Sequence, residues 1–311
     1  MRLVHLSDIH IWHYSVNPLK LWGKRAVVMA ELFAGRARKF RLEHLANVVA
    51  RVEELQADHI LITGDLTTTA LRGEFEEARS ALAPLLKDPE RVSVIPGNHD
   101  RLTNGSVRAR RFEGFFGEYA PSTSYPWVRE VQDHTVILAL DATRSHVLAT
   151  GRLPEEQLRA AEVLLESMGR RPRRLIVACH YPIAAPGPYR SELHRKRMIN
   201  APEVAAWLRR LGPHLYCCGH IHAAWAFRPE EVPEQLSLNA GAPLFHGPTG
   251  RRPPGFLEIE VAGHSVSVRH HAWTGADWSV IPLVSDLSLF GRNVEPPVRD
   301  SPPPSRAARG S

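Results

Sequence analysis

Arg91-Val-Ser-Val-Ile95, followed by Pro96-Gly97-Asn98-His99-Asp100, is the stretch from which the fold can be read. The apolar, β-branched run has the composition of a buried strand. Pro96 and Gly97 stop it and turn the chain. An amide, an imidazole and a carboxylate then stand together at the strand's C-terminal end, where open α/β sheets place their chemistry. Alone, such a triplet is ordinary turn chemistry, because these side chains satisfy nearby backbone groups. Its meaning depends on whether other strands end the same way.

Four others do. Met1–Leu6 runs into Ser7-Asp8-Ile9-His10, His59–Thr63 into Gly64-Asp65, Arg174–Cys179 into His180, and Leu215–Cys218 into Gly219-His220-Ile221-His222. Helical periodicity fills the intervals, with apolar residues at Leu42, Leu45, Val48, Val49, Val52 and Leu55, and further helices near 73–87, 155–168 and 202–211. A strand at 134–140 ends at Asp141. Residues 101–130 read as irregular, with an aromatic stretch at Phe112 to Tyr119. Later strands are expected at 235–239, 256–261 and 265–270, the last two joined by a hairpin through Ala262-Gly263-His264. The alternation of strand, polar turn and helix predicts an α/β fold with strands buried between helical layers.

With 43% hydrophobic residues over 311 positions, the chain has length enough to bury a core without staples. One domain is expected over 1–285, with a basic helical insertion near 12–42 and a disordered Pro/Arg/Ser-rich tail over 292–311. Cys179, Cys217 and Cys218 have no zinc-type spacing and read as buried free thiols in a reducing compartment. The first strand leaves no room for a signal peptide, and no apolar run approaches the roughly 20 residues of a membrane span. The expected location is cytoplasmic, with peripheral contact at the inner face of the membrane. The net charge of +6 is gathered at 20–41, 108–111, 170–174, 190–197 and in the tail, where it could attract phosphate-bearing molecules.

Five turns filled with Asp, Asn and His are too many for helix capping, and they read together as a metal site. Carboxylates, imidazoles and an amide without thiolate suit Mn²⁺ first, with Fe or Zn²⁺ also compatible. Seven such ligands are too many for one ion but suit two divalent metal ions sharing a carboxylate. Ions about 3.5–4 Å apart can clamp the attacking and leaving oxygens of a phosphoryl displacement and activate a bridging water as hydroxide.

These five motifs, in this order over roughly residues 1–245, resemble the calcineurin-like metallophosphoesterases. The resemblance implies a two-sheet α/β sandwich flanked by helices. It also implies that Asp8, His10, Asp65 and His222 hold one metal, and that Asp65 bridges to a second held by Asn98, His180 and His220. His99 would face the substrate as a proton donor, with Asp100 fixing its tautomer. His13 and Asp141 lie near the turns as outer candidates.

The insertion carries Lys20, Lys24, Arg25, Arg36, Arg38, Lys39 and Arg41 against Glu31 alone, with Trp22, Ala26, Met29 and Phe33 at helical spacing and Asn17-Pro18 at its start. Such a helix suits either an anionic membrane surface or a lid over the core. Asn17-Pro18-Leu19…Lys24-Arg25 and Phe112–Tyr119 are similar to the branch of the family that cleaves the pyrophosphate of UDP-2,3-diacylglucosamine. A 3′,5′-cyclic nucleotide phosphodiesterase carries the same Asn-His-Asp and His-x-His motifs and is the alternative. A metal-binding scaffold without catalysis is a third reading, disfavoured because every expected ligand and His99 are present. Arg190, His194, Arg195, Lys196 and Arg197 either reach a second phosphate or form a solvated helix face. Nothing interleaves aromatic and basic residues along a groove, which disfavours nucleic acid as partner. Substrate, native metal and oligomeric state are not written in the motifs.

Overall fold

The computed structural model of the chain describes residues 1–17, 21, 23–145, 148–169, 174–247 and 252–290. Pro18, Lys20 and Trp22 of the insertion, most of the basic run at 170–174 and the tail expected over 292–311 lie outside the described residues.

Strand β1 (Arg2–Leu6) leads into the insertion, whose helix α1 spans Lys24–Glu31. The chain continues through α2 (Leu45–Glu54), β2 (His59–Ile62), α3 (Arg72–Leu82), β3 (Val92–Val94), α4 (Asn104–Arg108) and α5 (Arg111–Phe116). Next come β4 (Trp127–Glu130), β5 (Thr135–Ala139), α6 (Glu155–Ser167), β6 (Arg174–Ala178), α7 (Arg190–Arg195) and α8 (Ala201–Arg209). Strands β7 (His214–Cys218), β8 (Ala224–Phe227), β9 (Gln235–Ala240), β10 (Gly255–Ala262), β11 (Ser265–Trp273) and β12 (Trp278–Ser288) complete it.

Two six-stranded sheets result, ordered β12-β11-β10-β1-β2-β3 and β4-β5-β6-β7-β9-β8. β1, β2 and β3 run parallel in the first, as do β5, β6, β7 and β9 in the second. Because side chains alternate faces along a strand, each sheet serves two cores. Leu3, Leu61, Ile176, Leu215 and Leu257 meet between the sheets. Val4, Leu6 and Ile62 turn outward against α2, α3 and α5, while Val177, Tyr216 and Cys218 turn outward against α6 and α8. Adjacent Cys217 and Cys218 therefore lie in different cores, and the three cysteines are free and buried. This is the two-sheet α/β sandwich with flanking helices that the family resemblance implies. It brings the C-terminal ends of β1, β2, β3, β6 and β7 to one rim.

Four stretches differ from the sequence expectation. Residues 101–130 are ordered into α4, α5 and β4: Thr103 Oγ1 accepts from the Ser106 amide to cap α4, and Phe112 and Phe116 are buried beside Phe75 of α3. The helix of the insertion covers less than the expected helical insertion near 12–42, because Gly35 at φ 110 breaks it and a short 3₁₀ turn over Ala37–Lys39 follows. The edge strands β8 and β12 are additional; β12 is largely solvent-facing and so lacks a clear inward period. No helix among the described residues is long and apolar enough to cross a membrane.

Phe75 is fully buried and stacks on Phe115 at 5.6 Å. Phe75→Ala should lower unfolding free energy by about 3–5 kcal/mol in urea titration, with the m-value unchanged. A loss below about 1 kcal/mol would show that this layer does not hold α3 and α5 to the first sheet.

Candidate metal centre

The rim is assembled from turns with unusual backbone. Asp8, His10, Asp65, His220 and His222 all have positive φ, between 53° and 75°. Non-glycine residues adopt this region at a cost of roughly 1 kcal/mol or more each. Backbone hydrogen bonds hold them there: the Asp8 amide donates to the Gly64 carbonyl and the His10 amide to the Asp65 carbonyl, both at 2.9 Å. Two glycines allow the turns to close. A Cβ on Gly97 would lie 2.1 Å from Asp65 Oδ1, and one on Gly219 would lie 1.9 Å from Ser7 Oγ and 2.4 Å from Asp8 Oδ2.

All seven expected ligands come together here. One group comprises Asp8, His10, Asp65 and His222, and a second Asp65, His180 and His220, so Asp65 belongs to both. In the first, His10 Nε2 is 3.1 Å from His222 Nε2 and 3.6 Å from Asp65 Oδ2, and His222 Nε2 is 3.3 Å from Asp8 Oδ1. In the second, His180 Nε2 lies 3.4 Å from Asp65 Oδ2 and 3.3 Å from Asn98 Oδ1, adding the amide to this group. Ligand bonds near 2.1 Å give edges of roughly 3.0–3.4 Å in octahedral or tetrahedral coordination, so these spacings fit two small divalent cations. The imidazoles are also oriented from outside. His180 Nδ1 donates to the Thr63 carbonyl at 2.7 Å, leaving Nε2 as donor atom; His220 Nε2 donates to the Lys196 carbonyl at 3.0 Å, leaving Nδ1.

The electrostatics ask for positive charge. Burial opposes ionisation of Asp65, but the His180 and His99 rings outweigh it and hold its pKa well below the usual carboxylate range. Burial likewise opposes a charge on His180, yet the Asp65 carboxylate lifts it to about 9. Buried carboxylates that draw a proton onto a neighbouring ring would be balanced equally well by a cation.

His99 stands beside this set, its ring centroid 4.9 Å from that of His10. The expectation that Asp100 fixes the His99 tautomer is corrected. His99 Nδ1 donates to the Thr68 carbonyl at 2.7 Å. Asp100 is instead turned under the loop, where Oδ1 accepts from the Thr67 amide and hydroxyl and Oδ2 from the Gly97 amide. It is only 1% exposed, and burial together with Asp65 pushes its pKa up to about 7. Its role is to hold the turn's shape. His13 pairs with Glu77, and Asp141 with Arg101 at 2.9 Å; neither joins the donor groups. Arg190, His194, Arg195 and Arg197 are exposed around α7.

Sequence reasoning did not reach several neighbours. Thr67 and Thr68 belong to the Thr67-Thr68-Thr69 run after Asp65, a sign of a hydrogen-bonded turn that could have been noticed. Phe40 packs edge-on against His10 at 4.7 Å and His222 at 5.6 Å, covering the first donor group. Arg252 bridges Glu192 of α7 to the Ile221 carbonyl, so α7 is tied to the His220–His222 turn at two points, the other being the Lys196 carbonyl.

A family model described as calcineurin-like phosphoesterase matches residues 1–224. Comparison with curated protein sequences finds no match. Among solved structures, a dimetal phosphatase from Danio rerio is 13% identical, with a TM-score of 0.60 over 91% of this chain and 99% of that one. The purple acid phosphatase PPD1 from yellow lupin (Lupinus luteus) seeds is 12% identical, with a TM-score of 0.61 over 93% of this chain and 55% of that one. GAP50 of Plasmodium, described as the anchor in the inner membrane complex, is 11% identical, with a TM-score of 0.51 over 93% and 90%. At such identities the structural likeness is one of fold, whereas the family model covers well over half of the chain. The protein belongs to the calcineurin-like phosphoesterase family, hydrolases of phosphoester bonds.

Proposed function

We propose that the protein cleaves a phosphodiester or pyrophosphate bond using two divalent cations, Mn²⁺ in preference to Fe or Zn²⁺. Asp8, His10, Asp65 and His222 would hold one, and Asp65, Asn98, His180 and His220 the other. The observation that carries this reading is the meeting of two buried donor groups at one carboxylate, with the ring of His99 alongside. The cations supply Lewis-acid polarisation of the phosphoryl group and an activated water. The chain supplies the rest. Asp65 accepts the His99 amide at 2.7 Å, which fixes the turn relative to the donors. With Nδ1 donating to Thr68, His99 presents Nε2 to the substrate. Burial, with help from Arg36 and Lys24, keeps the ring neutral by lowering its pKa to about 3, while the Asp65 carboxylate works in the opposite direction. An anionic phosphoryl group beside Nε2 favours the second proton, which His99 then donates to a phosphoryl or leaving oxygen.

For the substrate we favour a lipid-tailed pyrophosphate met at a membrane surface. Tyr14, Val16, Val27 and Phe33 are exposed at 51%, 82%, 57% and 57%, Tyr14 stacking on Phe33 at 4.7 Å, and Arg38, Lys39 and Arg41 are exposed on the same insertion. Exposed apolar side chains next to cations suit an anionic bilayer.

His99→Ala should keep its full metal content by elemental analysis while losing about 10²–10⁴-fold in turnover of bis-p-nitrophenyl phosphate with Mn²⁺. Near-normal turnover would remove His99 from the chemistry, and absence of metal-dependent turnover in the native protein would favour the scaffold reading. Asp100→Asn should cost about 1–3 kcal/mol of stability by pointing an amide N–H at an N–H donor, leaving the pH profile of kcat unchanged. An altered profile at native stability would return Asp100 to orienting His99. In a panel of UDP-diacylglucosamine, 3′,5′-cyclic AMP and phosphomonoesters, the lipid should be preferred. Val27→Ser with Phe33→Ser should reduce its turnover about 10–100-fold through lost apolar burial. Preference for cyclic AMP, indifferent to those changes, would replace the lipid reading.

A further inference from the structure

Two cations of the insertion stand near the centre. Lys24 opens α1, and its Nζ is buried without a hydrogen-bond partner among the described residues. Arg36 lies beyond the end of the same helix, and its Nη2 is 3.5 Å from His99 Nε2. Its other nitrogen, Nη1, pairs with the half-exposed Glu31 at 2.8 Å, and its side chain is only 22% exposed. The ring centroid of Phe40 lies 6.0 Å from the guanidinium carbon and 4.7 Å from that of His10.

A buried, unpaired ammonium is costly, normally by several kcal/mol, and fold stability gives no reason to keep one. Burial lowers the Lys24 pKa, Asp65 counters this, and Arg36 adds to it, so the two cations share one neighbourhood with repulsion between them. Asp65 is a poor permanent partner for Lys24, since both donor groups already use it. Two divalent cations against the carboxylates of Asp8 and Asp65 leave the centre net positive, and Lys24 and Arg36 raise that excess further. A ligand with one negative charge leaves most of it unanswered. A ligand with two linked phosphates answers it, one phosphate at the cations and the other between Lys24 and Arg36.

We propose that Lys24 and Arg36 form a second phosphate subsite beside His99, which makes the preferred substrate a pyrophosphate rather than an isolated phosphodiester or monoester. The inference rests on the hydrolase reading above and assigns the residues that select among its substrates. Lys24 offers three N–H donors as a point charge, and Arg36 offers a planar fork; together they address non-bridging oxygens on one phosphate. Arg36 rests against the lone pair of His99 Nε2. A phosphate drawn into the subsite moves that guanidinium onto itself and frees Nε2 for the neighbouring phosphoryl group. The insertion thereby links substrate choice to the availability of His99.

The test uses the full chain loaded with Mn²⁺ and two inert probes, methylenebisphosphonate and inorganic phosphate, in titration calorimetry. The native protein should bind the bisphosphonate more tightly. Lys24→Met and Arg36→Met should each weaken bisphosphonate binding about 10–100-fold and phosphate binding far less, as expected for loss of one charge-assisted contact. Arg36→Lys should recover part of the loss. In turnover, the ratio of kcat/KM for UDP-glucose over bis-p-nitrophenyl phosphate should fall in the same variants, mainly through KM. Unchanged probe preference in folded, metal-replete variants would overturn the subsite. Because calorimetry reads the subsite without catalysis, a protein that hydrolyses neither substrate would reject the hydrolase reading and still decide this one. Should Lys24→Met not fold, Lys24→Gln and the Arg36 pair carry the same measurement.

Discussion

Everything at the rim depends on bringing two carboxylates from one sheet within reach of imidazoles from the other. Asp8 and Asp65 come from the first sheet, and His180 and His220 from the second. The contacts that join them also join the sheets: Asp8 accepts the His220 amide at 2.8 and 3.0 Å, and His180 donates to the carbonyl of Thr63. Five donor residues held at positive φ would relax in an isolated turn. They persist because tightly packed cores on both sides of each sheet leave the turns no room to do so. The site is thus a product of sheet packing, and the strain within it is maintained by apolar burial some distance away.

That arrangement separates two kinds of work. The donor turns are short, glycine-punctuated and anchored by main-chain hydrogen bonds, so they tolerate little variation. The insertion between the first two of them is held by fewer buried side chains, chiefly Val28, Met29, Leu32, Ala37 and Phe40. It still delivers Phe40 onto the first donor group and Arg36 onto His99. A rigid frame for chemistry beside a separately built element for recognition is a common division in α/β proteins.

Much of this was legible in the sequence because it is local. A β-branched run ending in a polar turn declares a strand and its turn within a few residues, which is why the five turns could be anticipated, while the two-sheet sandwich came from the family resemblance. Fold class followed from the alternation of two periodicities. What escaped was non-local or unperiodic. Asp100 adjoins His99 in sequence, and that adjacency suggested contact; the backbone turns it away, and Thr68, from a different turn, takes its place. The edge strands β8 and β12 have one solvent face or more and so carry a weak pattern. The helical insertion was expected across residues near 12–42, whereas the backbone leaves the helical path at Gly35. The orientation of Lys24 could not be read from a sequence in which it is one of many basic residues.

The double attachment of α7 has a mechanical meaning. Through the Lys196 carbonyl on His220 and the Arg252 bridge from Glu192 to Ile221, a surface helix and a buried imidazole form one truss. A load applied to the outer member is transmitted to the inner one with little slack, since both joints are hydrogen-bonded rather than merely packed. Exposed residues of α7 can therefore vary freely in charge, while the path of its backbone is geared to the angle at which His220 faces its partners.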